Sequence, residues 1–131
     1  MARSDGMVWA YSKRPISIQK SSRAKIEQRV MAAVEKTVKI KGMMSRMAIR
    51  RGRVYLYRLH ELPQIEGIEY TVPLIDGKYL EIPLLRITIF DRTSTDCSLD
   101  FQRHNDQWMA IDEGTLEECI EKAEVSEWFE S

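Results

Sequence analysis

The residues of this chain that could bind a ligand are concentrated in two short runs, residues 45–50 and 53–60. The dipeptide Arg51-Gly52 joins them and is typical of a two-residue hairpin turn. If Arg50 faces Arg53, one side of the hairpin is apolar and the other carries arginine and tyrosine. Cations that neutralise phosphates and rings that stack on bases together hold single-stranded nucleic acid. With two residues from a later hairpin, the predicted site for nucleic acid or another polyanion comprises Arg46, Arg50, Arg53, Tyr55, Tyr57, His104 and Trp108.

The same residue types also support a second interpretation. Tyr and Arg are enriched where proteins meet one another, so these side chains could lie under an N-terminal arm or under a second subunit. The sequence leaves both interpretations open.

Catalytic chemistry has little support in the sequence. A Cys or Ser nucleophile needs a base within hydrogen-bond reach. Cys97 falls on the inward side of a predicted strand and Cys119 on the apolar stripe of a predicted helix, so both are expected to be buried thiols. His60 and His104 each have a carboxylate nearby but are more typical of surface histidines. No catalytic residue is assigned, and the sequence favours a binding protein over an enzyme.

Metal and cofactor signatures are missing from the sequence. A metal site needs three or four convergent ligands, and the chain has no HxH, CxxC or EF-hand spacing. The six glycines are scattered singly, so no glycine-rich loop precedes a helix to cradle a phosphate. We therefore expect neither a bound metal nor a cofactor.

Two helices and three hairpins are predicted to position these side chains. Ser21 and Ser22 are good N-cap residues, and apolar residues then recur at helical spacing as far as Val38, which predicts a first helix. After the hairpin at Arg51-Gly52, residues 68–75 and 78–91 are predicted to pair around Asp76-Gly77. Pro83 cannot donate a ladder hydrogen bond, so its strand is predicted at an edge or beside a bulge.

The third hairpin has two candidate registers. A three-residue loop of residues 105–107 places Phe101 opposite Ile111 and sets His104 opposite Trp108 on the outer side. The alternative two-residue loop places fewer apolar side chains toward the core. The three-residue loop is therefore preferred.

The chain is predicted to close with a short acidic helix. Thr115 and Glu118 form the signature of a capping box, and an apolar stripe from Leu116 follows as far as about Glu124. The aromatic residues 128–129 are expected to fold back onto the core.

These elements together predict an α+β fold. It has an N-terminal helix, an antiparallel meander of about six strands built from three hairpins, and a short C-terminal helix, because the links between strands are too short for parallel crossovers. Residues 1–17 are predicted to be an N-terminal arm and residues 18–131 a single domain.

The charges are distributed unevenly along the chain. Its net charge is zero, yet residues 1–60 hold 15 Lys+Arg and 3 Asp+Glu, whereas residues 61–131 hold 5 and 17. This pattern indicates a basic surface for an anionic partner, or two halves that neutralise each other within or between chains, as in a homo-oligomer. Two cysteines, no leader and no long apolar run predict a soluble cytoplasmic protein that does not bind membranes.

The stretch Ile87–Phe129 resembles the C-terminal half of a family of small bacterial domains of unknown function. In that family two aromatic-bearing strands meet at a short polar turn before a Trp, and a short helix and an aromatic residue follow. Residues 52–57 resemble a hairpin nearer the start of the same domains. The resemblance implies a β-meander flanked by two helices and implies no activity.

Overall fold

The computed structural model describes residues 14–129 and has the predicted α+β fold, with five strands in its sheet instead of about six. Most of the predicted N-terminal arm lies outside the described residues. The helices and strands are α1 Lys20–Glu35, α2 Lys39–Met43, β1 Arg46–Arg50, β2 Arg53–Glu61, β3 Tyr79–Ile89, β4 Cys97–Gln102, β5 Trp108–Gly114 and α3 Leu116–Val125.

The five strands form one antiparallel meander in the order β1-β2-β3-β4-β5. Its first hairpin has the predicted register, with Arg50 opposite Arg53 and Ile49 opposite Val54. Arg51 and Gly52 both adopt positive φ, 50° and 77°. Two such residues are typical of a type I′ turn, whose twist matches that of the flanking strands. The turn therefore fixes which side chains of β1 and β2 share a face.

The second predicted hairpin is wrong in its first strand. Residues 68–75 form no strand, and only Ile75 bridges to Tyr79 across the Asp76-Gly77 turn. The strand that begins at Tyr79 has two edges, and β2 and β4 occupy both of them. Residues 62–78 therefore form a long loop. Pro83 lies where the pairing of β2 with β3 shifts register, as its missing donor predicts.

The last hairpin differs from the predicted register. Phe101 faces Met109 instead of Ile111. The pairing of β4 with β5 then shifts between Leu99 and Asp100, so that one extra residue of β5 is accommodated there. The shift lies beyond Phe101 as counted from the turn, so the partner of Phe101 is set by the position of the loop. The backbone N–H of Arg103 donates to the carbonyl of Gln107 at 2.7 Å, which makes the loop residues 104–106 instead of the predicted 105–107.

The helices cover one face of the sheet, and the core lies between them and that face. Both cysteines belong to this core, as predicted. Within residues 14–129, no helix is long and apolar enough to cross a membrane. The core includes Val30 of α1, Ile40 of α2, Ile120 of α3, and Val54, Leu85, Ile87 and Leu99 of the sheet.

The helix boundaries agree only partly with the sequence. The first helix begins two to three residues earlier than its predicted serine caps, with Gln19 at the N-cap, and ends at Glu35 instead of near Val38. The Thr37 hydroxyl donates to the carbonyl of Val34 at 2.6 Å, which satisfies one of the last carbonyls of the helix. The chain then turns into the separate helix α2.

The C-terminal helix follows the prediction closely. Thr115 and Glu118 form the predicted capping box, each side chain accepting from the other residue's backbone N–H. Phe129 returns to the core and is 2% exposed. Trp128 packs on Phe101, with ring centroids 4.9 Å apart, while about half of its surface stays exposed.

Candidate nucleic-acid interface

The face of the sheet opposite the helices holds six of the seven predicted site residues. The first hairpin brings five of them to this face, because its register alternates inward and outward side chains. β5 contributes Trp108, and β3 contributes an arginine that sequence reasoning missed, Arg86, which lies opposite Tyr55. We refer to this surface as the basic-aromatic face, made of Arg46, Arg50, Arg53, Tyr55, Tyr57, Arg86 and Trp108.

The three rings of the basic-aromatic face form a contiguous group with Tyr55 at its centre. The rings of Tyr55 and Tyr57 stack with centroids 6.2 Å apart and planes at 18°. Trp108 meets Tyr55 edge-on, at 5.9 Å and 75°. Tyr57 is only 8% exposed. The accessible aromatic surface therefore belongs to Tyr55 and Trp108.

Each ring also carries a guanidinium group. Such cation–π contacts fix long side chains that would otherwise be mobile on a surface. The guanidinium carbon to ring centroid distances are 4.3 Å for Arg46 over Tyr57, 4.6 Å for Arg50 over Tyr55 and 4.6 Å for Arg86 over Trp108. Arg50 in addition donates a hydrogen bond to the hydroxyl of Tyr57.

Two arginines of the face are neutralised by carboxylates. Arg46 lies 2.8 Å from Glu81, and this hydrogen-bonded pair raises the pKa of Arg46. Nε of Arg86 donates at 2.7 Å to Asp100, its opposite residue on β4, on the same face of the sheet. Their positive charge is therefore largely compensated.

Three arginines at the β1–β2 turn are not neutralised in this way. Arg50, Arg51 and Arg53, which we refer to as the turn arginines, have no acidic partner within residues 14–129. Their charge is therefore concentrated at one end of the basic-aromatic face, where it can act on an anion.

A recess of about 580 Å³ opens on this end of the face. The turn arginines line one part of it, and Tyr55 and Trp108 line another. Among residues 14–129, none of those that line the recess is acidic. The recess can therefore place an anionic group against the guanidinium groups while a flat ring contacts Tyr55 or Trp108.

His104 is the predicted site residue that the structure places elsewhere. It was expected to face Trp108, but Trp108 faces Gln102, and His104 lies exposed in the turn between β4 and β5. The backbone N–H of Arg103 donates to the carbonyl of Gln107 at 2.7 Å, so the loop comprises residues 104–106, one position earlier than predicted, and its last residue, Asp106, adopts a φ of 65°. His104 is therefore not part of the basic-aromatic face.

Sequence reasoning missed Arg86 and Arg51. Arg86 lies between Leu85 and Ile87, and this alternation predicts that Arg86 points away from the core. Its place beside Tyr55 depends on the pairing of β2 with β3, which the sequence did not indicate. Arg51 occupies a turn position and was assigned only a conformational role.

The two thiols lie apart from this face, in the core. Burial raises the pKa of Cys97 and the pKa of Cys119 to about 12 in each case. A thiol with so high a pKa stays protonated near neutral pH and is a weak nucleophile. His60 lies exposed at the end of β2. Among the described residues, no three His, Cys, Asp or Glu side chains are grouped so that they could hold a metal ion.

Comparison of the chain with protein-family models, curated proteins and solved structures gives no match. The resemblance to small bacterial domains of unknown function therefore stays a prediction.

Proposed function

We propose that this protein is a binding module whose basic-aromatic face binds single-stranded nucleic acid. The observation that carries the proposal is the recess, where the turn arginines and the rings of Tyr55 and Trp108 line one concavity to which the described part of the chain contributes no acidic residue. Phosphates supply the anions and bases supply the rings that such a concavity accommodates.

The structure changes which residues should make the contacts. Tyr57 is largely buried and accepts a hydrogen bond from Arg50, so its role is to support the face. Stacking falls to Tyr55 and Trp108, and phosphate contacts fall to the turn arginines. Arg46 and Arg86 are paired with carboxylates and contribute less to phosphate binding.

The test is a titration of a short fluorescent single-stranded oligonucleotide at several salt concentrations. Each phosphate that the protein neutralises should steepen the fall of log K with log salt by about 0.7 in slope. Arg51→Gln should reduce that slope by about 0.7, whereas Trp108→Ala should weaken binding by roughly 1–3 kcal/mol and leave the slope unchanged, because stacking releases no counterions. Trp128→Ala and Arg23→Gln, which change residues away from the face, are the matched controls.

Two outcomes would contradict the proposal. One is the absence of binding to single-stranded DNA and RNA at low salt. The other is an equal effect of the control variants and the face variants, since this would show that only overall charge or stability matters. The urea midpoint of each variant separates loss of binding from loss of fold.

A second candidate function, as a protein-interaction or homo-oligomerisation module, rests on the loop of residues 62–78. Ile65, Ile68, Val72 and Ile75 are exposed there, at 52%, 53%, 46% and 40%. The loop carries Glu66 and Glu69 beside these residues, so it could meet the basic-aromatic face of another copy. Unusually long loops are often functional.

Mass in solution distinguishes this second function from the first. An oligomer that forms through charged halves should dissociate as salt rises, and Ile68→Ser should weaken it while Val125→Ser, another exposed apolar position, should not. A chain that stays monomeric at low salt and high concentration contradicts homo-oligomerisation.

A further inference from the structure

The recess contains more positive charge than an internal phosphate of a nucleic-acid strand requires. Three guanidinium groups lie within four residues of sequence at the turn, and no acidic side chain of residues 14–129 lines the recess. An internal phosphodiester carries one negative charge. A terminal phosphate monoester carries about 1.5 to 2 near pH 7 and offers three strong acceptor oxygens.

One donor of this group has no partner. Nε of Arg53 is buried and makes no hydrogen bond within the described residues. An unsatisfied buried donor costs about 1–3 kcal/mol, and the cost is larger for charged groups. Since Nε is buried, the side chain of Arg53 must turn before a phosphate oxygen in the recess can satisfy this donor. Charge-assisted bonds from guanidinium to phosphate are among the stronger ones in proteins and would favour that turn.

The neighbouring side chains are already held in place. The guanidinium group of Arg50 lies over Tyr55 and bonds to the hydroxyl of Tyr57. The recess, at about 580 Å³, lies within the range of roughly 300–1,000 Å³ that is usual for small-ligand sites. It therefore suits one nucleotide with its phosphate better than a long stretch of strand.

Resting on the proposed function, we infer that the recess binds the terminal phosphate of a single strand. The turn arginines hold the phosphate, and the terminal base lies against Tyr55 and Trp108. The protein would then recognise phosphorylated strand ends, while the rest of the face contacts the adjoining nucleotides.

The test uses oligonucleotides of one sequence with a 5′-phosphate, a 3′-phosphate or hydroxyl groups at both ends. One phosphorylated form should bind about tenfold more tightly than the hydroxyl form. Arg53→Lys keeps the charge and removes the guanidinium group, so it should weaken binding of the phosphorylated form more than binding of the hydroxyl form and thereby abolish the preference. Arg23→Lys, the same change on α1, should leave the preference intact. The preference should also shrink as pH falls below about 6, where a monoester loses its second charge.

The outcomes separate the inference from the function on which it rests. If hydroxyl-ended and phosphorylated strands bind equally, the inference is overturned and strand binding stands. If no strand binds, both are overturned. If inorganic phosphate displaces the phosphorylated strand as well as a nucleoside monophosphate does, the recess recognises phosphate without a base and the inference is again overturned.

Discussion

Asp100 is a buried carboxylate that organises the basic-aromatic face from within the sheet. It is 2% exposed and accepts three hydrogen bonds, from Nε of Arg86 at 2.7 Å, the hydroxyl of Thr88 at 2.6 Å and the hydroxyl of Ser98 at 2.8 Å. Arg86 in turn lies over the ring of Trp108. Asp100 therefore positions Trp108 through Arg86.

Replacing Asp100 should be strongly destabilising. Asp100→Ala leaves the Arg86 charge and two hydroxyls without their acceptor, and breaking a buried pair in this way costs about 3–5 kcal/mol. Urea unfolding measures the change. Asp112→Ala is the control, because Asp112 pairs with Lys122 at an exposed site and should have little effect. Similar losses of unfolding free energy in the two variants would mean that burial of the hydrogen bonds of Asp100 adds nothing to stability.

The cysteines should react slowly in the folded protein. Burial raises the pKa of Cys97 and of Cys119 to about 12, so neither forms an accessible thiolate at pH 8. We expect a thiol reagent to label both only as fast as the protein opens, and rapidly in urea. Rapid labelling without denaturant would contradict the burial of the residue that reacts.

For individual side chains, the sequence predicted the correct position where the neighbours in space are also close along the chain. Arg50, Arg53 and Tyr55 were placed together because one tight turn sets the register of both strands. Arg86 could not be placed, because the loop of residues 62–78 separates β2 from β3 and leaves their register free. His104 was misplaced because it was assigned to a strand instead of the turn.

Among the elements, α2 depends on a residue of another helix. The backbone N–H groups of Val38, Lys39 and Ile40 donate to the Glu124 carboxylate at 2.9–3.0 Å. Helix N-termini leave such donors unpaired, and a carboxylate also complements their partial positive charge. Glu124 of α3 thus acts as the N-terminal cap of α2.

This cap gives a pH-dependent prediction. The hydrogen bonds from the Lys39 and Ile40 backbone lower the pKa of Glu124 below 4.5. The contribution of this cap to the unfolding free energy is therefore complete above pH 4.5 and is lost as pH falls through the lowered pKa. Glu124→Gln should lower the unfolding free energy by about 0.5–2 kcal/mol at pH 7, and the difference should vanish at lower pH. Glu121→Gln, on the same helix, is the control, because the α2 N–H groups donate to Glu124 and this change should leave the unfolding free energy at pH 7 nearly unchanged. A difference that persists at low pH would contradict the cap.

The β1–β2 turn is fixed from outside by residues 15–16. A Cβ added at Gly52 would lie 2.2 Å from the carbonyl oxygen of Ile16 and 2.9 Å from Cβ of Pro15. The backbone N–H of Ile16 also donates to the carbonyl of Ile89 at 2.9 Å. The chain before α1 therefore packs directly on the turn that carries the turn arginines.

Gly52→Ala should consequently lower the unfolding free energy much more than Gly77→Ala does. Both glycines have φ near 75°, so both substitutions carry the left-handed penalty of roughly 1–2 kcal/mol. A Cβ atom added at position 77 has open space around it, whereas one added at position 52 must also displace Ile16. Urea midpoints and oligonucleotide binding of the two variants measure the difference. Equal midpoints would contradict the packing of residues 15–16 on the turn.

The elements that the sequence predicted correctly are likewise those that a few neighbouring residues determine. The type I′ turn and the capping box were identified because a few adjacent residues determine them. Residues 68–75 have the alternation of a strand, but pairing depends on a free partner edge, and β3 has none. The shift between Leu99 and Asp100 depends on packing between strands, which alternation alone does not reveal.

Over the whole molecule, the basic and acidic parts of the chain meet. Arg29 of α1 forms a bidentate pair with Glu117 of α3, with bonds of 2.7 and 2.8 Å, and Arg46 pairs with Glu81. Each pair joins a residue from the first 60 positions to one from the later part. Partial self-neutralisation thus coexists with the charge of the turn arginines, which no acidic side chain of the described residues neutralises.

The charge contacts between α1 and α3 should make stability depend on salt. Arg29 and Glu117 are 36% and 42% exposed, so their pair should contribute less than about 1 kcal/mol, and its charge attraction should weaken as the screening length falls from about 30 Å at 0.01 M salt to 3 Å at 1 M. Glu117→Gln should therefore lower the urea midpoint more at low salt than at high salt. Glu127→Gln, an exposed change beyond α3, should have the same small effect at both. Because each variant is compared with the parent at equal salt, general salt effects cancel. A Glu117→Gln effect that is independent of salt would mean that hydrogen-bond geometry, and not charge attraction, joins the two helices.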